Sequence, residues 1–261
     1  MQNIEAVVAN ANDLQDGEMK QVSVGNTDVL LSRIDGKFHA IGAYCTHYQA
    51  PLAEGVMKGD RVVCPWHNSC FNLMTGDMQE PPGLNAQPRY QVRIEGEDVI
   101  VSVPEEADDE RIPSMAKYDP NADSRTFVIL GAGAAGSAAV EILRQTGFQG
   151  RIVMVTREDK LPYDRTWLSK DYFIGQVSKE DMPLRSPDFY KEHNIEVLLN
   201  KQAVRVDAVA KTITFEDGSS ITYDALLLAT GGKPRRLDVA GADLQNVFTL
   251  RSFDDTEQIL A

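Results

Sequence analysis

The stretches Cys45-Thr-His47-Tyr-Gln-Ala-Pro51-Leu52 and Cys64-Pro-Trp-His67 each carry one cysteine and one histidine. Sixteen residues separate the first pair from the second. Thiolate and imidazole are side chains by which proteins hold zinc and iron. Two loops that each supply one ligand of each kind predict a metal centre held between them.

Two cysteines and two histidines could hold one zinc ion or one [2Fe–2S] cluster of the Rieske type. In a Rieske centre, two thiolates bind one iron and two imidazoles bind the other. Zinc sites usually pair cysteine with cysteine and histidine with histidine at short spacings, whereas here each loop supplies one of each. The pattern favours the iron–sulfur cluster, with zinc as the first alternative and residues that bind no metal as the second. The predicted ligands are Cys45, His47, Cys64 and His67.

Residues 1–103 are predicted to form an all-β domain. The turns Asp35-Gly36 and Glu95-Gly-Glu-Asp98 indicate hairpins between β-type runs. These runs are Val22–Val24, Val29–Ile34, Phe38–Ile41, Arg61–Val63, Tyr90–Ile94 and Val99–Val103. Residues 104–124 then combine acidic residues with prolines, which predicts an exposed linker. An ordered, wrapped segment is the alternative.

Residues 125–261 are predicted to form an α/β domain. The elements are the strands Thr126–Leu130 and Arg151–Thr156, the helix Ser137–Thr146, the later strands Lys211–Phe215, Ser220–Tyr223 and Asp224–Ala229, and the helix Ser252–Leu260. The turn Gly131-Ala-Gly133-Ala-Ala-Gly136 follows a strand and opens a helix, which predicts a dinucleotide site because a helix N-terminus favours pyrophosphate. Glu158 lies where a ribose-binding carboxylate is expected. A helix packed closely on a strand without nucleotide is the alternative.

These motifs resemble a known family. The stretch Cys45–Leu52, followed by Cys64-Pro-Trp-His67-Asn-Ser-Cys70-Phe-Asn72, resembles a Rieske ferredoxin domain, and residues 125–261 resemble the flavin-binding start of a pyridine nucleotide-disulfide oxidoreductase. Together they resemble the Rieske-containing, apoptosis-inducing-factor-like oxidoreductases of the ferredoxin reductase family. The resemblance implies a multidomain fold: an all-β Rieske domain followed by a partial α/β, Rossmann-like FAD-binding domain, truncated before the NAD(P)H domain.

The resemblance also implies FAD in the second domain. The expected cofactor-binding positions are Gly131, Gly133, Ala135, Gly136, Glu158, Arg165, Lys170, Val204, Ala229, Thr230 and Gly231. Arg165 would contact the FAD phosphates or the adenosine side, and the Val204 backbone would contact adenine. Lys170 would lie near the isoalloxazine as the catalytic cation that stabilises reduced flavin.

In the Rieske domain, the resemblance implies a lower, ferredoxin-like potential. High-potential members carry an extra cysteine in each loop, joined as a disulfide, where this chain has Ala50 and Trp66. Ser69 matches a position whose hydroxyl can bond a bridging sulfur. Phe71 stands where high-potential members place a tyrosine. The segment Glu80-Pro-Pro-Gly83 is either the loop that covers the cluster in this family or an ordinary turn.

Composition argues against several classes of protein. The net charge of −13 and the pI near 4.7 argue against binding to nucleic acid or to anionic lipid. No apolar run approaches the roughly 20 residues that span a membrane, and no secretory signal is visible. Three cysteines are too few for a disulfide framework. A cytoplasmic protein is therefore expected.

The leading hypothesis is an FAD-dependent NAD(P)H oxidoreductase of the ferredoxin reductase type. NAD(P)H would reduce FAD, and FAD would pass electrons singly to the Rieske cluster and on to an acceptor protein or small molecule. The alternative is a Rieske electron-carrier module whose flavin half is incomplete and non-catalytic in this chain. A non-redox signalling role is a third hypothesis, and the acidic charge argues against DNA binding in such a role.

Overall fold

Short runs of β-forming residues in the first part of the chain form ten strands in two antiparallel sheets. The structure is a computed structural model and describes residues 2–261. The strands are β1 (Asn3–Asn10), β2 (Met19–Val24), β3 (Thr27–Ile34), β4 (Lys37–Gly42), β5 (Val56–Lys58), β6 (Arg61–Val63), β7 (Cys70–Asn72), β8 (Met78–Glu80), β9 (Arg89–Glu95) and β10 (Asp98–Pro104). The larger sheet has the order β1-β10-β9-β4-β3-β2, and the smaller sheet has the order β5-β6-β7-β8.

Strand β3 is buried on both faces and separates two apolar clusters. Because successive side chains of a strand point to opposite faces, Val29 and Leu31 pack in one cluster and Leu30 packs in the other. The second cluster also contains Cys45 and Cys64. The predicted thiolate ligands are therefore built into the core of this unit.

The second part of the chain forms a four-stranded parallel sheet of order β13-β12-β11-β17 and a three-stranded antiparallel sheet of order β14-β15-β16. Its elements are β11 (Thr126–Leu130), α1 (Ala134–Gln145), β12 (Arg151–Val155), α2 (Pro187–Glu192), β13 (Ile195–Leu198), β14 (Ala203–Asp207), β15 (Thr212–Phe215), β16 (Ser220–Thr222), β17 (Ala225–Leu228) and α3 (Phe253–Leu260). The predicted fold class, an all-β domain followed by a partial α/β domain, is confirmed. None of the described helices is long and apolar enough to cross a membrane.

The chain divides into two units, the first ending at Pro113 and the second running from Ser114 to Ala261. This division falls inside the predicted linker, residues 104–124. Before it, Arg111 forms an antiparallel bridge with Ala86. After it, the Ala116 N–H donates to the Arg144 carbonyl at 2.8 Å. The segment is thus hydrogen-bonded to the first unit on one side and to the second unit on the other, and its bounds stay a prediction.

Arg144, near the end of α1, is fully buried and pairs with no carboxylate within residues 2–261. Its guanidinium instead donates to the carbonyls of Phe148, Gly150, His193 and Asn194, at 2.7–2.9 Å. A buried charge is tolerated only where its donors are satisfied, and burial lowers the pKa of this guanidinium. The side chain therefore ties the end of α1 to the loops that enter β12 and β13.

Candidate functional site

Two loops with matching backbone hydrogen bonds carry the predicted metal ligands. In each loop the cysteine N–H donates to the carbonyl five residues on, and the cysteine carbonyl accepts from the N–H four residues on, at 2.8–3.2 Å. That fourth residue is Gln49 in the first loop and Asn68 in the second, with φ of 56° and 64°. Positive φ is uncommon outside glycine, although asparagine tolerates it well. The two turns therefore support Cys45 and Cys64 in the same way.

The four predicted ligands lie on two loops of the first unit, and their side chains are close in two pairs. Cys45 and Cys64 are both buried and belong to the same apolar cluster. The imidazole rings of His47 and His67 are edge to face, with centroids 4.8 Å apart, and His67 is exposed. The site therefore has two thiols on its inner side and an exposed imidazole on its outer side.

The chemistry of these donors fits a two-iron cluster. Burial raises the pKa of the Cys45 thiol, and the neighbouring Cys64 adds to this, so a thiolate here needs a positive partner such as iron. No three His, Cys, Asp or Glu side chains within residues 2–261 are grouped so as to hold a single metal ion. A structural zinc needs four ligands around one ion, whereas a Rieske cluster needs two ligands at each of two irons.

The segment Glu80–Asn85, here called the strap, packs against both ligand loops. The Gly83 N–H donates to Ser69 Oγ at 2.8 Å, and Thr46 Oγ1 donates to the Asn85 carbonyl at 2.8 Å. A Cβ on Gly83 would lie 2.9 Å from the Thr46 hydroxyl. Glycine is therefore needed for this close approach, and the strap covers the loops rather than forming an isolated turn.

The three glycines of the second motif have different surroundings. A Cβ on Gly131 would overlap the Ala229 carbonyl, and a Cβ on Gly136 would overlap the Gly131 carbonyl. A Cβ on Gly133 would meet nothing within 4 Å. Gly133 is also the N-cap of α1, whose first turn contains no acidic residue. Two glycines thus allow close packing, and the third leaves room for a ligand at a helix N-terminus.

A cleft of about 450 Å³ opens beside this helix N-terminus. Seven of the predicted FAD-binding residues line it: Gly131, Gly133, Glu158, Arg165, Ala229, Thr230 and Gly231. Four further cations line it that the sequence analysis did not identify: Arg157, Lys201, Lys233 and Arg251. Arg157 adjoins Glu158 in sequence and Lys233 follows Gly231 by two residues, so these two cations could have been detected from the sequence. Lys201 and Arg251 come from other parts of the chain, and together the four cations make the cleft suited to an anion.

The Glu158 carboxylate is held in place on one wall of the cleft. Arg165 donates to Glu158 Oε1 at 2.6 Å, and the Tyr163 hydroxyl donates to Glu158 Oε2 at 2.8 Å. Arg165 also donates to the Arg251 carbonyl at 3.0 Å. Because each carboxylate oxygen can accept a second hydrogen bond, Glu158 keeps capacity for the hydroxyls of a ribose.

Four predicted positions do not line this cleft. Ala135 is exposed at the start of α1, and Gly136 is buried beneath it. Lys170 is exposed after a short 3₁₀ turn. Val204 on β14 is exposed too, although its neighbour Ala203 lines the cleft. The roles expected of these four residues, including the catalytic role of Lys170, stay predictions.

Comparison with known families agrees with this arrangement. Residues 5–99 match the model of the Rieske [2Fe-2S] domain, and residues 125–261, more than half of the chain, match that of pyridine nucleotide-disulphide oxidoreductases. Fold and site together define an oxidoreductase with an iron–sulfur module and a nucleotide-binding module. The chain belongs to the pyridine nucleotide-disulphide oxidoreductase family and carries a Rieske [2Fe–2S] domain, as the resemblance predicted.

Individual relatives match one or both modules. Apoptosis-inducing factor 3 of Mus musculus is 42% identical over 263 residues, covering 98% of this chain and 43% of the relative. Rubredoxin-NAD(+) reductase of Pseudomonas putida is 39% identical over 133 residues, covering 51% of this chain and 34% of the relative. The solved covalent putidaredoxin reductase–putidaredoxin complex is 36% identical over 52% of this chain and 33% of that chain, with a TM-score of 0.48. The chain thus spans less than half the length of these curated relatives.

Proposed function

We propose that this chain is the electron-transfer part of an FAD-dependent NAD(P)H oxidoreductase of the ferredoxin reductase type. The two matched loops would hold a [2Fe–2S] cluster, and the cleft beside α1 would hold the ADP half of FAD. FAD held there would supply the conversion of a two-electron hydride donor, NAD(P)H, into single electrons, and a cluster held by the loops would supply one-electron transfer to an acceptor protein or small molecule.

The observation that carries this proposal is the arrangement of the four ligand residues. Two buried thiols lie within the core, and His67 lies at the surface of the same site. The protein thus shields the sulfur side from water and leaves the imidazole side open to an electron acceptor. The names of the relatives connect such reductases with NAD(+), rubredoxin and putidaredoxin, which supports a small electron-transfer protein as the acceptor.

In the second unit, this chain's residues would bind and orient the nucleotide. The N-terminal N–H groups of α1 point toward the open space at Gly133 and would donate to the pyrophosphate. The cations around the cleft would balance its charge, and Glu158 would accept from the ribose hydroxyls. Lys170 would stabilise negative charge on the reduced isoalloxazine. These roles need no general base from the protein.

An electron-carrier role without a working flavin half is the second candidate. Strand β17 lies at the edge of the parallel sheet, where Leu227 is 44% exposed and Leu228 is 61% exposed. Parallel sheets usually have both faces covered, so this apolar surface favours a flavin half that is incomplete in this chain. In that case the cluster would accept and donate electrons while the second unit contributed no catalysis.

Visible spectroscopy of anaerobically purified protein separates these candidates. Cluster bands that bleach with dithionite, together with a flavin that NADH or NADPH reduces, would support the oxidoreductase. Cluster bands without flavin would support the carrier. A colourless protein with stoichiometric zinc would contradict both. As a control, Cys64→Ser is expected to abolish the cluster bands while the flavin content stays unchanged, because the two sites lie in separate units.

Replacing Ser69 by alanine is expected to lower the midpoint potential of the cluster. The Ser69 oxygen accepts from the Gly83 N–H, which leaves its own proton to donate to a cluster sulfur and stabilise the reduced state. Losing one hydrogen bond to a charged group, about 1.5 kcal/mol, corresponds to about 60 mV for one electron. A redox titration checks this, with Ser23→Ala in the same unit as the matched control. Equal potentials in Ser69→Ala and the parent would show that Ser69 does not tune the cluster.

A further inference from the structure

A second cleft opens between β4 and β9 in the larger sheet of the first unit. The two strands pair at two positions and then diverge; the pairs are Ala40 with Tyr90 and Ile41 with Arg89. The space between them is about 820 Å³ and is lined by Gly36–Ala40 and Arg89–Ile94. Roughly 17 Å of strand separates Lys37 from Gly42, and the first ligand loop begins only beyond Gly42. The cleft therefore lies at the end of β4 away from the predicted metal ligands.

Both walls of the cleft present unpaired backbone groups. On the edges that face away from the cleft, β4 pairs with β3 and β9 pairs with β10. The direction of hydrogen bonding alternates along an antiparallel strand, and Ala40 faces Tyr90 across the two strands. The N–H and C=O groups of Phe38 and Val92 therefore point into the cleft, and the ladder between β4 and β9 does not extend to these two residues. Such paired open edges accept an extended peptide as an added strand.

The cleft is basic although the protein is strongly acidic. The chain has a net charge of −13, yet the cleft is lined by Lys37 and Arg89 and by no acidic residue. Neither side chain makes an ion pair with any residue from 2 to 261. Arg93 also lines the cleft, and there it pairs with Glu5 at 2.7 Å. Burial, with Arg89 and Lys37, lowers the pKa of His39, so its ring is neutral at neutral pH.

We propose that this cleft binds an extended, acidic peptide segment of a partner protein, which adds as a strand between β4 and β9. The segment's backbone would pair with that of Phe38 and Val92. Its acidic side chains would reach Lys37 and Arg89 on the exposed face. Because side chains alternate along a strand, its apolar side chains would cover Ile94, which is 49% exposed. A small anion would interact with Lys37 and Arg89 but would leave the backbone groups of Phe38 and Val92 unpaired.

Neither a segment of this chain nor a second copy of it fits the cleft as well as an acidic segment of a partner protein. The chain's own acidic run, Glu105–Glu110, packs against the sheet through Ala107 and does not line the cleft. Two copies that each carry a charge of −13 would repel one another outside the cleft. A segment of a different protein, acidic and extended, satisfies both the charges and the backbone groups. This inference does not depend on either cofactor.

The test uses the full chain with a fluorescent peptide of alternating valine and glutamate. Fluorescence anisotropy is expected to show saturable binding that weakens with salt. Lys37→Glu and Arg89→Glu are each expected to weaken binding at least about ten-fold, because like charges then face each other. Lys58→Glu, an exposed and unpaired lysine on β5, is the matched control and is expected to bind as the parent does. Circular dichroism reports that each variant is folded.

Two further peptides separate strand addition from simple charge attraction. A peptide of alternating valine and lysine, and an acidic peptide with proline in place of every valine, are both expected not to bind, since proline lacks the backbone N–H. The inference is overturned if the acidic peptide does not bind, if its proline version binds equally well, or if Lys58→Glu is as damaging as Lys37→Glu. Sedimentation that shows a dimer of the parent, made monomeric by Arg89→Glu, would instead assign the cleft to a second copy.

Discussion

Changing His67 to cysteine is expected to lower the midpoint potential of the cluster by on the order of 100 mV. A neutral imidazole ligand is then replaced by a charged thiolate, which disfavours the added electron. Rieske centres, with two imidazoles, lie roughly 250 mV or more above plant-type ferredoxins with four thiolates, and one exchange should give about half of that difference. A potentiometric titration of anaerobically purified protein measures the shift.

The controls for this experiment come from the same unit. His47→Cys is expected to shift the potential in the same direction, because its ring lies 4.8 Å from that of His67. His39→Cys, on β4 and away from the ligand loops, is expected to leave the potential unchanged. If a variant loses the cluster altogether, the iron content and visible spectrum record that loss. Equal potentials and full iron content in His67→Cys and His39→Cys would contradict the assignment.

Changing Gly133 to valine is expected to weaken FAD binding by about 100-fold, equivalent to about 2.7 kcal/mol, while the protein stays folded. The added side chain would enter the open space at the N-terminus of α1, where the pyrophosphate is expected. Changing Gly136 to valine is expected to unfold the second unit instead. There the side chain would overlap the Gly131 carbonyl. The backbone at Gly131 and the first turn of α1 cannot move apart without separating α1 from β11.

Binding and folding are measured separately for these glycine variants. Quenching of FAD fluorescence gives the affinity, and thermal unfolding followed by circular dichroism gives the stability. Ala138→Val, on the exposed side of α1, controls for the cost of a β-branched residue in a helix. The cluster spectrum should be the same in all three variants. If Gly133→Val binds FAD as tightly as the parent, the cleft is not the nucleotide site.

Local patterns predicted most of the elements. Thr126–Leu130 and Arg61–Val63 are strands with the predicted bounds, and α3 begins after Ser252, whose side chain forms a capping box with Asp255. By contrast, α1 begins at Ala134, three residues before the predicted start. The glycine motif itself provides the first turn of the helix, and glycine has a low helix propensity that hides this from a sequence pattern.

Most of the strands that were not predicted are short, although β1 has eight residues. Strands β5, β7 and β8 have three residues each, too few to show a period of two. The second ligand loop lies between β6 and β7, and the small sheet of these short strands supports it. Likewise, Arg144 looks like an ordinary helix cation in sequence, but it is buried where four carbonyls need a donor.

The sequence by itself determined that this protein has an iron–sulfur module and a nucleotide-binding module. Each motif contains both the functional residues and the turn that positions them, so a short stretch of sequence is enough to recognise it. Only the tertiary structure decided what surrounds each site: the strap on the cluster loops, the cations Lys201 and Arg251 at the nucleotide cleft, and the open edges of β4 and β9. The physical reason is that these features depend on contacts between residues far apart in the chain, and such contacts have no local periodicity.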